Sequence, residues 1–359
     1  MHHRNSAWPQ LARPLIAMGA VIIALLAAGW GLFFGVVLPG NYLLPGGGVF
    51  STGLAITAFT LGLRHGFDPD HIAAIDNVTR KLMGDGGRPV SVGFWFALGH
   101  SSVVIVTVAL LAAGLSVLAR ELSVEGSSFT TAAGIWGLTV SSLFLVLIGL
   151  INLTSLAAIW KIFRGMRQGR APDTDRIDDA LAKRGLLARL LGPISRRVDA
   201  PWKMFPVGVL FGLGFDTATT IALFAIGGTA ALTAPWYVVL VLPILFTAGI
   251  TLVDTLNGVV MQRAYAWAYA APLRRIYYNF IITLISVAVA FLVGGLGLLS
   301  LTAQLLGSEG GALGWIAGLE FENLGYLIVG VLVLTWLAAV GYWKLARLET
   351  RFGDGDASP

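Results

Sequence analysis

The chain has 359 residues, of which 56% are hydrophobic and 12% charged, with a formal net charge of +5. Soluble domains carry about 25% charged residues, so an ordinary water-soluble domain is excluded. There is no cysteine, which removes a disulfide framework, a thiolate metal site and a cysteine nucleophile.

In chain order, eight apolar runs approach or exceed the roughly 20 residues that a membrane helix needs. They fall at about 15–38, 50–77, 91–119, 132–160, 204–232, 236–262, 277–303 and 325–343. The expected fold is all-α and polytopic, with about eight transmembrane helices. It divides into a first membrane half (1–160), a basic loop (161–203), a second membrane half (204–343) and a tail (344–359). The first run is long enough to span and no small-residue cleavage site follows it, so a secretory signal peptide is not expected. Ahead of it stands "MHH". A free amine, backbone amides and an early histidine form a square-planar nitrogen site suited to Ni(II) or Cu(II). His2 and His3 are therefore secondary metal candidates, against the reading of a plain tail.

Span two contains "RHGFDPDHIAAIDN", Arg64 to Asn77, the densest group of ionisable residues in any span. His100 follows in span three, Asp216 in span five and Asp254 in span six. An Asp or Arg at a span centre costs about 2.5–3.5 kcal/mol on insertion scales. Five aspartates and Arg64 would then cost about 15–20 kcal/mol, more than the 5–15 kcal/mol that holds a typical domain together. One arginine cannot neutralise five carboxylates, so the cluster implies pairing, hydration or a bound cation. Pro69 removes a backbone donor and clashes with the carbonyl of His65. It also pushes Asp68 towards an extended conformation. Span two is therefore expected to break between His65 and His71, turning Asp70 and His71 inward beside a cavity.

After span four, the loop from Lys161 to Lys203 carries eleven Lys and Arg, with Ile177, Leu181, Leu187, Leu190, Leu191 and Ile194 at near-helical spacing. An amphipathic helix on the inner leaflet is expected there, against a solvated connector. Lys and Arg favour cytoplasmic loops. Arg4 and Arg13, then Arg80, Lys81 and Arg88, the central loop, Arg263, Arg274 and Arg275, and Lys344, Arg347 and Arg351 all fall on one side. The alternate loops hold Arg120 alone. Both termini are therefore expected in the cytoplasm, in the cell's inner membrane. This distribution explains the positive charge without a nucleic-acid partner. Oligomeric state is not legible.

The second half repeats the first. "GFDPDHIAAI" begins at Gly66 and "GFDTATTIAL" at Gly214; "FALGHSSVV" begins at Phe96 and "FTAGITLVD" at Phe246. With opposite directions through the membrane, spans two and three match spans five and six as an inverted repeat. Such repeats enclose a midplane site between broken helices. This places His65, Asp70, His71 and His100 opposite Asp216, Asp254 and Asn257. Neutral imidazole suits Ni, Co, Cu, Zn and Fe, whereas carboxylates and carbonyls alone suit Mg, Ca and Mn. Three histidines near aspartates at membrane depth therefore indicate a transition metal.

These motifs resemble the nickel/cobalt transporter (NiCoT) family of secondary permeases. "RHGFDPDHI" resembles its span-two signature, with His65, Asp70 and His71 in place and Gly66 and Pro69 as variants. "FALGHSSVV", "LGFDTATT" and "GITLVDTLNG" resemble its spans three, five and six. Thr220 stands where the family often has glutamate, and Asn257 where it often has aspartate. The resemblance implies import of Ni²⁺ or Co²⁺ as transported substrate, with no cofactor and no enzymatic activity. His65, Asp70, His71 and His100 are the expected ion ligands. Asp68, Asp76, Asp216 and Asp254 would guide the ion or orient the histidines; Thr217, Thr255 and Asn257 would line the opposite wall. Rival readings are a carrier of Zn²⁺, Fe²⁺ or Mn²⁺, a metal sensor or subunit without flux, and an intramembrane metalloprotease. The last would want histidines at i and i+4 beside a glutamate; His65 and His71 are six apart and no span core holds Glu.

Overall fold

A computed structural model describes residues 8–44, 48–114, 128–167, 198–214, 218–269 and 272–307, with isolated positions between 311 and 341. The chain is an all-helical, polytopic membrane protein. Helix α1 (Trp8–Leu32) continues through a wide π turn at Phe33–Val37 to Gly40. Helices α2 (Thr52–His65) and α3 (Pro69–Gly84) are the halves of one broken span. Helices α4 (Val92–Ala112) and α5 (Ser128–Arg167) complete the first half. In the second half, α6 (Met204–Gly212) and α7 (Ala218–Ala231) are again separate. Helix α8 (Val241–Tyr269) follows a single turn at Trp236–Val239, and α9 is Pro272–Leu306.

Five stretches among the described residues are long and apolar enough to cross a bilayer: Leu11–Gly40, Val92–Ala112, Thr131–Thr154, Trp236–Ala266 and Thr283–Leu306. Span two does not count among them because it is cut into short helices, and span five is described only as the short helices α6 and α7 on either side of positions 215–217. Span eight lies largely outside the described residues, as do His2, His3, Asp216, Thr217 and positions 168–197 of the central loop.

The break in span two follows from its residues. Helix α2 closes with the Gly66, Phe67 and Asp68 amides bonded to the carbonyls of Gly62, Arg64 and His65. Asp68 is extended (φ −63°, ψ 141°), as a residue before proline prefers. Pro69 opens α3 at its first position, where no amide is needed.

Helix α8 is the hub. It packs against α1, α2, α3 and α4, while α5 and α9 lie along one another. The α8 stretch Trp236–Ala266 is 67% buried and the α4 stretch 61%, against 22% for α1, so α1 is left to face lipid. Two crossings bring backbones into contact through glycine, as membrane helices do without a hydrophobic force to join them. At the α2–α8 crossing, Gly62 meets the Phe246 carbonyl and Gly249 meets the Phe59 carbonyl. At the α4–α6 crossing, Gly208 meets the Phe96 carbonyl and Gly99 meets the Phe205 carbonyl. On α4 and α8 the two crossings use equivalent positions of the proposed repeat, Phe96/Gly99 and Phe246/Gly249, whereas Gly62 and Gly208 lie two positions out of its alignment.

Just ahead of α6, the chain leaving the central loop is tied down. Lys81 at the end of α3 donates to the Val198 carbonyl (2.6 Å), and Lys203 pairs with Asp199 (2.7 Å). The Lys203 ammonium holds the Asp199 carboxyl below the usual carboxylate range.

Candidate metal centre

Three elements deliver the histidines. The end of α2 supplies His65, the first turn of α3 supplies His71, and the middle of α4 supplies His100. The break lets one span present His65 and His71 to the same point from two helix ends. All three side chains are buried, at 1–2% exposure.

Their rings form a triangle. Centroids are 4.6 Å apart for His65 and His71, 4.6 Å for His65 and His100, and 4.9 Å for His71 and His100. One ligand nitrogen from each lies within 4.8 Å of the others. The Nε2 atoms of His65 and His100 are 2.9 Å apart. Two nitrogens each about 2.1 Å from one ion, at a right angle, lie about 3.0 Å apart. That pair is thus already at the spacing of neighbouring ligands.

One ring is hydrogen-bonded by a carboxylate from behind, and a second carboxylate stands close behind another ring without a hydrogen bond. His71 Nδ1 bonds Asp254 Oδ2 at 3.2 Å, and His65 Nδ1 lies 2.8 Å from Asp68 Oδ2. This leaves Nε2 of both rings to face inward, the arrangement in which a carboxylate orients a metal-binding imidazole. Phe96 meets the His71 ring edge-on at 4.8 Å, and Phe246 lies 5.5 Å from the His65 ring. These phenyl groups wall the triangle against water. They open the two repeated segments "FALGH" and "FTAGI", so the repeat itself carried the signal for them.

The other expected residues are placed as follows. Asp70 is half-buried, and its Oδ1 accepts a bond from the His71 amide at 3.0 Å; it stands beside the triangle, not among its three ligand atoms. Asp68 and Asp254 reach imidazoles. Thr255 and Asn257 lie on α8, and Thr255 Oγ1, Asn257 Nδ2 and Asp254 Oδ1 have no hydrogen-bond partner. Thr220 is buried on α7. Asp76 lies apart, accepting from the Tyr265 hydroxyl, which also meets Ser286 Oγ at 3.2 Å. Tyr265 and Ser286 belong to none of the motifs.

A family profile described as high-affinity nickel-transport protein (NicO) matches residues 51–341. The chain belongs to that family. As a member it is a transporter and not an enzyme. It is 45% identical to the nickel transporter NicT of Mycobacterium tuberculosis over 336 residues, 93% of this chain and 90% of the relative. It is 44% identical to the nickel transporter NixA of Staphylococcus aureus, over 84% of this chain and 88% of that one. The cobalt transport protein NhlF of Rhodococcus rhodochrous is 37% identical, over 94% of this chain and 95% of that one. No solved structure matches the chain.

Proposed function

We propose that this protein is a secondary transporter that carries Ni²⁺ or Co²⁺ into the cytoplasm across the inner membrane. His65, His71 and His100 hold the ion near the midplane. The observation that carries this reading is the convergence of three buried imidazoles, two backed by carboxylates, in a member of a nickel-transport family. Borderline nitrogen donors suit Ni²⁺ and Co²⁺ and do not suit Mg²⁺ or Ca²⁺. Asp254 and Asp68 orient the rings. Asp70, Asp76, Asp216, Thr217, Thr255 and Asn257 serve the approach and departure of the ion. Both nickel and cobalt stay within the proposal because relatives named for each cover almost the whole chain.

The proposed architecture is eight spans with an inverted repeat, spans two and three against five and six, and cytoplasmic termini. The matching Phe96/Gly99 and Phe246/Gly249 contacts at the two glycine crossings, and the short helices α2, α3, α6 and α7, support it. No phosphate-binding Gly-x-x-x-x-Gly-Lys-Ser/Thr loop occurs in the sequence. The membrane potential is sufficient as a driving force: about 2.3 kcal/mol per charge per 100 mV gives a divalent ion about 4.6 kcal/mol, over a thousandfold accumulation.

The test is flux into proteoliposomes with an inside-negative potential, presenting Ni²⁺, Co²⁺, Zn²⁺, Fe²⁺, Mn²⁺ and Mg²⁺ separately. Saturable uptake of Ni²⁺ or Co²⁺, lost in His71→Ala, supports the reading. Binding without flux of any ion would make the chain a sensor or subunit.

A further inference from the structure

The seam between α3 and α8 continues below the histidines. On α8, Asp254, Gly258, Met261 and Tyr265 recur at i, i+4, i+7 and i+11, one helix face. On α3, His71 is followed by Ile72, Ile75 and Asp76. The two rows meet in register. Asp254 bonds His71, Gly258 packs on the Gly93 backbone of α4 with the Ile75 side chain beside it, and the Tyr265 hydroxyl donates to Asp76 Oδ1. Ile72 and Ile75 are fully buried and Met261 nearly so. A dry apolar layer thus separates the imidazole triangle from a buried carboxylate, and dry constrictions block ions.

Asp76 is 2% exposed, which is costly for an acidic group at membrane depth without a purpose. Its hydrogen-bonding neighbours are hydroxyls: the Tyr265 phenol and the Ser286 hydroxyl that the phenol also touches. Oxygen donors hold Ni²⁺ or Co²⁺ less tightly than imidazole. Arg80, four residues on and also buried, bonds Thr283 on α9 at 3.2 Å, with Nε and one terminal nitrogen unpartnered. Its positive charge on the Asp76 side of α3 keeps that carboxylate from becoming a trap for a divalent ion.

We propose that Asp76 is a relay carboxylate on the cytoplasmic side of the histidine site, and that the Tyr265 hydroxyl is the latch that occupies it while the ion is held above. The ion leaves by exchanging imidazole nitrogen for Asp76 oxygen once Tyr265 lets go and the Ile75–Met261 layer parts. Tyr265 is a positioning residue: it acts through Asp76. This rests on the transport reading for its direction, but the latch itself has a readout that does not need transport.

The chain has no cysteine, so Ile75→Cys places a single thiol in the dry layer. Its labelling by a membrane-impermeant maleimide is measured without metal, on the cytoplasmic face of inside-out vesicles, with and without Tyr265→Phe. Removing the hydroxyl's bonds to Asp76 and Ser286 from the closed state is expected to speed labelling at least about tenfold, with nickel affinity unchanged. Asp76→Asn keeps an acceptor for Tyr265 and is expected to leave labelling unchanged while slowing nickel release from loaded vesicles. Equal labelling with and without Tyr265→Phe overturns the latch, as does a loss of nickel affinity in that variant. Parental release from Asp76→Asn overturns the relay. A failure of nickel flux in the parent protein overturns the transport reading instead and leaves the labelling result standing.

Discussion

His71 on α3 and Asp254 on α8 are joined by an Nδ1–Oδ2 bond of 3.2 Å, both side chains buried, across 183 positions of sequence. The bond ties the half-helix that follows the break to the hub helix. It also fixes which nitrogen of His71 faces the other two imidazoles. A carboxylate in this position raises ligand basicity as well as aiming the ring.

Asp254→Asn keeps the size and the fold but removes the charge behind His71. Nickel affinity of the purified protein is expected to fall by about 10–100-fold, measured by equilibrium dialysis, with the melting temperature little changed. An unchanged affinity would detach Asp254 from the site.

Gly62 and Gly208 each face a backbone carbonyl, of Phe246 and Phe96 respectively. A methyl group at either place has no flexible neighbour to displace. Gly62→Ala and Gly208→Ala are expected to destabilise the protein to a similar extent, by about 1–3 kcal/mol each. Thermal unfolding in detergent checks this, and a neutral outcome at either glycine would contradict the packing described.

Asn152 on α5 donates to Asn77 Oδ1, and Asn77 donates onward to the Ala73 carbonyl, all buried. Asn152→Ala leaves a buried amide oxygen without its donor. The expected loss is about 1–3 kcal/mol of stability, with nickel affinity retained in the folded fraction. Unfolding and dialysis on the same preparation separate the two effects.

Asn257 Nδ2 makes no hydrogen bond among the described residues, so Asn257→Asp forfeits no donor contact seen there and adds a negative charge one turn beyond Asp254. Divalent binding is expected to tighten several-fold. Kd values for Ni²⁺, Co²⁺ and Zn²⁺ measured side by side report whether the three move together. Weaker binding of all three would exclude an electrostatic role for this position.

The break in span two was legible because Pro69 acts on its own backbone and on that of Asp68, and such local effects need no knowledge of neighbours. The histidines were legible because imidazole at membrane depth has few other uses. What each imidazole leans on was not. The sequence places Asp68 and Asp254 near the site, but which of them meets which ring nitrogen depends on how α8 crosses α3. Asp70 reads as an ion ligand beside His71, and the contact of its Oδ1 with the His71 amide is visible only in the structure. The gap between α6 and α7 has no proline to announce it. Tyr265 belongs to none of the sequence motifs, and only the packing of α3 against α8 turns its hydroxyl onto Asp76.

The measurement closest to the central claim is X-ray absorption at the nickel edge of the purified, Ni²⁺-loaded protein. The account predicts a nitrogen-containing ligand shell with the multiple scattering of three imidazole rings, one ring fewer in each of His65→Ala, His71→Ala and His100→Ala. A shell of oxygen donors alone, unchanged by those substitutions, would contradict it.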